Sequence, residues 1–206
     1  MKGLLLKDFY ALRKQGRVIF ALSIFYLILG LSSGNIGMFG TMITLLSAML
    51  PITTMSYDEY HKWDRYALAM PVSRKTIVLS KYCLGIICSL AASLLVLLVN
   101  LLMSLTNDLS LILILQSNLV FIVVANLFLA IVLPIIFKFG IEKGRMIMLM
   151  VIALPTLGLI LLGKLGVSLP SEQVLIRMLY LSPIVVFILV FLSIQLSNKI
   201  YQQKEF

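Results

Sequence analysis

Residues 56–82, SYDEYHKWDRYALAMPVSRKTIVLSKY, form the only long polar interruption in an otherwise apolar chain. This stretch holds eight of the 25 charged residues in the 206-residue sequence. Five of these charges stand at positions 58–65, and placing five charges at the centre of a spanning helix would cost roughly 12–17 kcal/mol. The stretch is therefore predicted to lie outside the bilayer, while its apolar flanks lie within it.

The composition predicts an all-α, polytopic membrane protein. Hydrophobic residues make up 61% of the chain and charged residues only 12%, whereas soluble domains are about a quarter charged. Lipid permits only helices or closed barrels, and the long continuous apolar runs favour helices. The basic residues flank these runs, so the net charge of +9 indicates membrane topology and not nucleic-acid binding.

We expect one transmembrane domain over residues 1–206, which begins with an amphipathic helix at 1–17 that lies in the membrane interface. A cleaved signal peptide is the competing interpretation of the N-terminus, but its charged region is long and no A-x-A site follows. Residues 163–178 are expected to be a short exposed or half-inserted segment. The six predicted spans are 18–31, 36–55, 83–105, 111–137, 146–162 and 179–196.

The distribution of Lys and Arg predicts that both termini face the cytosol. Fifteen of the 17 basic residues fall in the N-terminal segment, in 56–82, in 138–145 and in the C-terminal tail. Six spans place these four segments on one side of the membrane. Only Lys164 and Arg177 fall on the other side, which is a clear positive-inside signal.

Local signals predict two helices within residues 56–82. Ser56 and Glu59 have the S-x-x-E spacing of a capping box, so a helix is expected to begin there. Pro71 is expected to end it, and Ser73 to cap a second helix that leads into the third span. The first helix presents an aromatic-rich face of Tyr57, Tyr60, Trp63, Ala67 and Met70 and an opposite face of Asp58, Lys62 and Arg65.

Two interpretations of this first helix stay open at this point. It could be a docking surface for a soluble partner, with large aromatic side chains as anchors. It could equally be an interfacial helix that only fixes a loop at headgroup depth, where Trp and Tyr are common.

The chain offers little catalytic or metal-binding chemistry. Cys83 and Cys88 face different sides of one apolar helix, and His61 is the only histidine, so we expect no disulfide and no metal site. Residues 158–165, GLILLGKL, nearly match the phosphate-binding loop, but Leu165 replaces the hydroxyl residue that binds Mg²⁺. No Asp, Glu, Lys, Arg or His falls within a predicted span, so we predict neither an enzyme nor a proton-coupled transporter.

Four amide side chains are the polar groups expected at membrane depth. Hydrogen bonding between helices is the simpler explanation for them. The functional alternative is that they line a translocation path or a dimer interface. These residues are Asn100, Gln116, Asn118 and Asn126.

The sequence resembles the permease subunits of type-2 ABC exporters along its full length. The resemblance rests on the N-terminal MKGLLLKDFYALRKQ, on the segment between spans two and three, and on KFGIEKGR at 138–145. The most specific motif is LP-x-S-R-x-x-x-V-x-x-K-Y, in which Met70 replaces Leu and Pro71, Ser73, Arg74, Val78, Lys81 and Tyr82 match. The chain is similar in particular to the membrane subunits of staphylococcal-type phenol-soluble modulin exporters.

The resemblance implies a set of partners and site residues. Such permeases act in a bacterial plasma membrane as homo- or heterodimers, with separate ATPase subunits that bind ATP and Mg²⁺, so no cofactor is expected on this chain. An amphipathic peptide is the implied cargo. The implied secondary cytosolic contacts are Glu142, Lys143 and Arg145, and the implied coupling-helix contacts with the ATPase are Tyr57, Asp58, Glu59, Tyr60, Lys62, Trp63, Asp64 and Arg65.

Two other functions are compatible with the sequence. A secondary transporter would need no ATPase but should carry charged or unwound sites near the bilayer midplane. A non-transporting scaffold or immunity protein would protect against a peptide without moving it.

Overall fold

The computed structural model describes residues 1–33, 36–69, 72–104, 110–164 and 171–204. Within these ranges the chain is helical and contains no strand, which agrees with the predicted all-α class. The helices are α1 (Lys2–Ser33), α2 (Ile36–Ala48), α3 (Leu50–Tyr60), α4 (Trp63–Ala69), α5 (Arg74–Ser104), α6 (Leu111–Lys164) and α7 (Glu172–Gln203).

Several helices have the length and apolarity needed to cross a bilayer. In the described ranges four stretches qualify by length and composition: Phe39–Tyr60, Arg74–Ser104, Leu111–Met150 and Ile176–Gln203. Most of the first predicted span, 18–31, falls in a shorter apolar stretch, Gly16–Gly30. The chain is therefore a multi-pass membrane protein, but the predicted number of six spans is not confirmed.

The N-terminal segment and the first predicted span form one uninterrupted helix, α1. The sequence suggested an interfacial helix over residues 1–17 that leads into the span, but no break separates the two. Leu12 is buried, which shows that this part of α1 packs against the rest of the protein.

The second predicted span is broken at Met49, between α2 and α3. Pro51 lies in the first turn of α3, where its missing N–H costs no helical hydrogen bond. The helix then runs through Ser56 to Tyr60, so the predicted start at Ser56 is wrong. A capping residue needs a non-helical backbone, and Ser56 lies in the interior of a helix that Pro51 has already started.

A turn at His61 and Lys62 divides the predicted coupling helix into the end of α3 and the short α4. Lys62 adopts a left-handed backbone with φ of 52°, so a continuous helix over residues 57–70 is also wrong. Helix α4 ends at Ala69, while Met70 and Pro71, the predicted stop, lie outside the described residues.

The chain reverses direction within α6, at Gly140. This residue has φ of 79° and ψ of 177°, which glycine alone adopts readily. A Cβ atom on Gly144 would lie 2.9 Å from Cγ1 of Ile136, whereas residues eight apart in a continuous helix are about 12 Å apart. We call residues 111–139 the first arm of α6 and residues 141–164 its second arm.

The remaining boundaries differ modestly from the predictions. Helix α7 begins at Glu172, seven residues before the predicted start at 179, so the end of the segment 163–178 is helical. Residues 105–109, between the third and fourth predicted spans, and residues 165–170 lie outside the described part of the chain.

The largest cluster of buried apolar side chains lies where α3, α5, the first arm of α6 and the end of α7 meet. Val78, Leu133 and Tyr201 are among its most buried members. Helices approach closely at glycines: a Cβ on Gly85 of α5 would lie 2.8 Å from Leu129 of α6. Such contacts between small and large residues are how helices gain packing energy in lipid. This apolar core therefore lies at the end of the molecule that carries the predicted coupling segment.

Candidate functional site

The predicted coupling segment presents exposed tyrosines around the turn at His61 and Lys62. Tyr60 is 81% exposed, and its ring packs edge-on against that of His61, with centroids 5.0 Å apart. Tyr57 and Tyr66 are exposed as well. We call Tyr57, Tyr60 and Tyr66 the tyrosine surface. The sequence pattern missed Tyr66, because the assumed continuous helix placed it off the aromatic face.

Trp63 is half-buried and faces α1. The ammonium group of Lys7 lies 4.4 Å from the centroid of its ring, which is a cation–π contact. Part of this predicted docking anchor is therefore engaged within the chain. Lys62, another predicted ATPase contact, is exposed in the turn. The side chains of Asp64 and Arg65, also predicted contacts, lie outside what the structure describes.

Asp58 belongs to a partly buried cluster of four charges, which we call the charge cluster. Lys81 Nζ donates to both carboxylate oxygens of Asp8 at 2.9 Å and to Oδ2 of Asp58 at 2.6 Å. Lys7 Nζ donates to Oδ1 of Asp58 at 2.6 Å and lies 3.2 Å from Oδ1 of Asp8. The hydroxyl of Thr54 accepts a further hydrogen bond from Lys81, at 3.2 Å.

The charge cluster is closed to water on one side and open on the other. The side chains of Asp8 and Lys81 are only 1% and 4% exposed, whereas those of Asp58 and Lys7 are 16% and 27% exposed. The charges of the two cations and two anions sum to zero, and each charge has a partner of opposite sign. Such pairing offsets the desolvation cost of burying ions. The cluster joins α1, α3 and α5, three helices that are distant in sequence.

Sequence reasoning missed Asp8 and assigned no site role to Lys81. A lysine and an aspartate next to apolar spans gave a weak signal, since unpaired charges are rarely buried. Their pairing across 73 residues could not be read from local spacing.

Glu59 connects the coupling segment to the bend in α6. Its Oε2 accepts a hydrogen bond of 2.9 Å from the backbone N–H of Ile141, the first residue after Gly140. A carboxylate at the start of a helix satisfies an unpaired N–H and interacts favourably with the helix dipole. Two segments predicted on the same side, 56–82 and 138–145, are thus in direct contact. Glu142, Lys143 and Arg145 follow this contact and are exposed.

The residues of the exporter-like motif tie helices together inside this chain. Ser73 Oγ accepts a hydrogen bond from the N–H of Thr76 at 3.2 Å, which confirms the predicted cap of α5. Arg74 Nη1 donates to the carbonyls at the end of α7, with the Gln202 oxygen at 2.5 Å. The hydroxyl of Tyr82 is hydrogen-bonded to those of Ser193 and Ser197 on α7, at 2.6 and 2.8 Å.

The structure brings together two of the four predicted intramembrane amides. Asn118 and Asn126 line an open apolar cavity of about 620 Å³ between α6 and α7, near Ile86 of α5. Gln116 instead donates to the hydroxyl of Tyr180 at 3.1 Å, and Asn100 is buried on α5. The four do not form a single polar path.

Among the described residues, no three His, Cys, Asp or Glu side chains are grouped as metal ligands would be. Cys83 and Cys88 are both free thiols. The described contacts at this end of the molecule include ion pairs, a capped helix start and exposed aromatic rings.

A family model described as ABC-2 family transporter protein matches residues 3–202 of the chain. The match covers nearly the whole sequence, including the tyrosine surface, the charge cluster and the bend at Gly140. No curated protein and no solved structure gives a match.

Proposed function

This chain belongs to the ABC-2 family of transporter proteins, and we propose that it is the permease subunit of an exporter driven by a separate ATPase. The observation that carries the proposal is the family match over residues 3–202, together with several helices suited to spanning a membrane. Permeases of this family usually work with an ATPase subunit. In this proposal ATP and Mg²⁺ bind to that partner.

The ATPase docks on the tyrosine surface and the adjoining turn at Lys62. Exposed tyrosines on a segment outside the predicted spans support this placement, because such side chains bury large areas at protein interfaces. Lys62 and the exposed charges Glu142, Lys143 and Arg145 set the register of docking. Both termini and this surface face the cytosol, as the distribution of Lys and Arg predicts.

Movement of the docked segment is passed to the spanning helices by polar contacts. Asp58 is tied to α1 and α5 through Lys7 and Lys81, and Glu59 is tied to the second arm of α6 through Ile141. A displacement of α3 by the ATPase would therefore move three other helices. In this proposal Asp58 and Glu59 transmit the movement to the other helices, and Tyr60 contacts the ATPase.

The cargo in this proposal is an amphipathic peptide, and a second permease copy or a paralogue completes the transporter. The resemblance to phenol-soluble modulin exporters supports the peptide. The apolar cavity with Asn118 and Asn126 at its wall supports a cargo with a large apolar face.

The test is purification of the tagged chain from its native membranes in mild detergent, followed by an ATPase assay and mass spectrometry. We expect a P-loop ATPase to be retained by the wild type. Tyr60→Ala should release most of it, because Tyr60 is the most exposed of the three tyrosines and has no buried role. Tyr180→Ala, an exposed tyrosine on α7 beyond this surface, is the matched control.

Retention by the control and loss by Tyr60→Ala would support both the partner and its docking site. If the wild type retains no ATPase and shows no ATP hydrolysis, the permease proposal fails. A scaffold or a secondary transporter would then be better supported than a permease subunit. Equal retention by Tyr60→Ala would reject the docking site alone.

A further inference from the structure

A second groove lies between the end of the first arm of α6 and the end of α7. It has a volume of about 380 Å³ and is open along one side. Pro134 and Ile135 on α6 and Leu196 and Ile200 on α7 form its apolar lining. The groove is distinct from the tyrosine surface and the charge cluster, and the proposed function makes no use of it.

Two lysines stand at one end of this groove. Lys138 lies one helical turn after Pro134, and Lys199 lies one turn after Leu196, so both follow the apolar lining in chain order. Both side chains are exposed. The salt bridges of the described residues involve Lys7 and Lys81 and neither of these two lysines.

Other polar and aromatic groups complete the same end. Gln203 lines the groove one turn beyond Lys199 and can donate through its amide. The ammonium group of Lys138 lies 5.2 Å from the centroid of the Phe139 ring. An apolar groove that ends in two cations and a hydrogen-bond donor is complementary to a molecule with an apolar chain and an anionic end.

We propose that this groove binds an anionic phospholipid. Lys138 and Lys199 hold the phosphate, Gln203 donates to a headgroup oxygen, and one acyl chain lies along Pro134, Ile135, Leu196 and Ile200. Basic pockets between spanning helices on the cytoplasmic side attract anionic headgroups in this way. A free phosphate would use the lysines but not the apolar lining.

The leaflet follows from the position of the lysines. The groove ends next to Gly140 and the last turn of α7, at the same end of the molecule as Glu59 and Arg74. This is the end that the distribution of Lys and Arg assigns to the cytosol. The bound lipid therefore belongs to the inner leaflet.

Native mass spectrometry of the purified full chain tests the proposal. The protein is titrated with palmitoyl-oleoyl phosphatidylglycerol and, separately, with phosphatidylcholine that has the same acyl chains. We compare the wild type with the double variant Lys138→Gln/Lys199→Gln. The matched control is Lys2→Gln/Lys75→Gln, which removes two exposed lysines outside the groove.

We expect the wild type to bind phosphatidylglycerol in preference to phosphatidylcholine, with one high-affinity site. The groove variant should bind phosphatidylglycerol about 30-fold more weakly, as expected from two cations beside an anionic lipid. The control should bind it like the wild type. Circular dichroism and a single size-exclusion peak establish that both variants are folded.

Two kinds of result would overturn the proposal. Equal loss in the control and the groove variant would mean that only net charge matters. Equal affinity for short-chain dihexanoyl phosphatidylglycerol, or full displacement by millimolar inorganic phosphate, would mean that the apolar lining contributes nothing. Neither kind of result concerns ATPase docking, so the lipid proposal and the proposed function can fail independently.

Discussion

The carboxylate of Glu59 accepts a hydrogen bond from the backbone N–H of Ile141, at 2.9 Å. This single bond links the last turn of α3 to the first turn of the second arm of α6, 82 residues further along the chain. It fixes the coupling segment against the point where the chain reverses. A shift of helix α3 would therefore either carry that arm with it or break this hydrogen bond.

Replacing Glu59 tests this link. Glu59→Ala should lower the free energy of unfolding by about 1 kcal/mol, the usual cost of losing a helix cap. Unfolding in sodium dodecyl sulfate, followed by circular dichroism, measures the change. Glu142→Ala removes a nearby exposed carboxylate and should alter stability by less than about half as much. A Glu142 effect as large as that of Glu59 would contradict the capping role.

Gly140 should be intolerant of any side chain. Its φ of 79° is strained for other residues, and an added Cβ would lie 3.3 Å from Oε1 of Glu59. Gly140→Ala should destabilise the protein by about 1–3 kcal/mol. Gly16→Ala is the control, because Gly16 lies within α1 with open space around it. That variant should gain about 0.5–1 kcal/mol, and thermal unfolding in detergent separates the two.

The charge cluster should show strong energetic coupling. Lys81→Met leaves the carboxylate of Asp8 buried with only the partly exposed Lys7 beside it, which should cost about 3–5 kcal/mol. The double variant Asp8→Leu/Lys81→Met should lose less than the sum of the two single changes, because Lys7 and Asp58 still form a pair. A double-mutant cycle measures this difference. Additive losses would show that the pair is not coupled.

Lys7 should matter much less for stability than Lys81. Its side chain is 27% exposed, so water screens its charge. Lys7→Met should cost about 1 kcal/mol or less from the ion pairs. Because Lys7 also lies over Trp63, this variant should raise the quenching of Trp63 fluorescence by acrylamide. Unchanged quenching would argue against the cation–π contact.

The hydroxyl of Tyr82 should stabilise the packing of α5 on α7. Tyr82→Phe removes hydrogen bonds to Ser193 and Ser197 but leaves the bond from Ser193 to the carbonyl of Ala130. The expected loss is about 1–2 kcal/mol in the unfolding free energy. Tyr10→Phe, at an exposed tyrosine of α1, should be neutral in the same assay. Equal effects would mean that the buried hydroxyl contributes little.

Cysteine labelling in intact cells should establish the orientation. In a variant without Cys83 and Cys88, a membrane-impermeant maleimide should label Ser110→Cys but not Lys62→Cys or Lys143→Cys. The last two should behave alike, because Glu59 and Ile141 place their segments on one side. Labelling of Lys62→Cys from outside would reverse the orientation predicted from Lys and Arg.

Local sequence signals predicted the structure well where hydrogen bonds are local. Ser73 caps α5 as its position before an apolar helix suggests, and Pro51 lies in the first turn of a helix. The S-x-x-E signal at Ser56 failed because a helix already under way through that position leaves no free N–H groups to cap. The left-handed turn at Lys62 carried no glycine or asparagine to reveal it.

The order of residues along the chain is enough to predict an all-helical membrane protein with a polar segment between apolar helices. Those features follow from the cost of placing charges and unpaired backbone groups in lipid, which depends on the order of apolar and charged residues along the chain. Which charges meet is known only from the folded chain. Asp8, Asp58 and Lys81 come from three separate helices, and Glu59 reaches Ile141 only because the chain reverses at Gly140. Pairing of buried charges depends on how helices pack in space, and no local pattern along the chain encodes that.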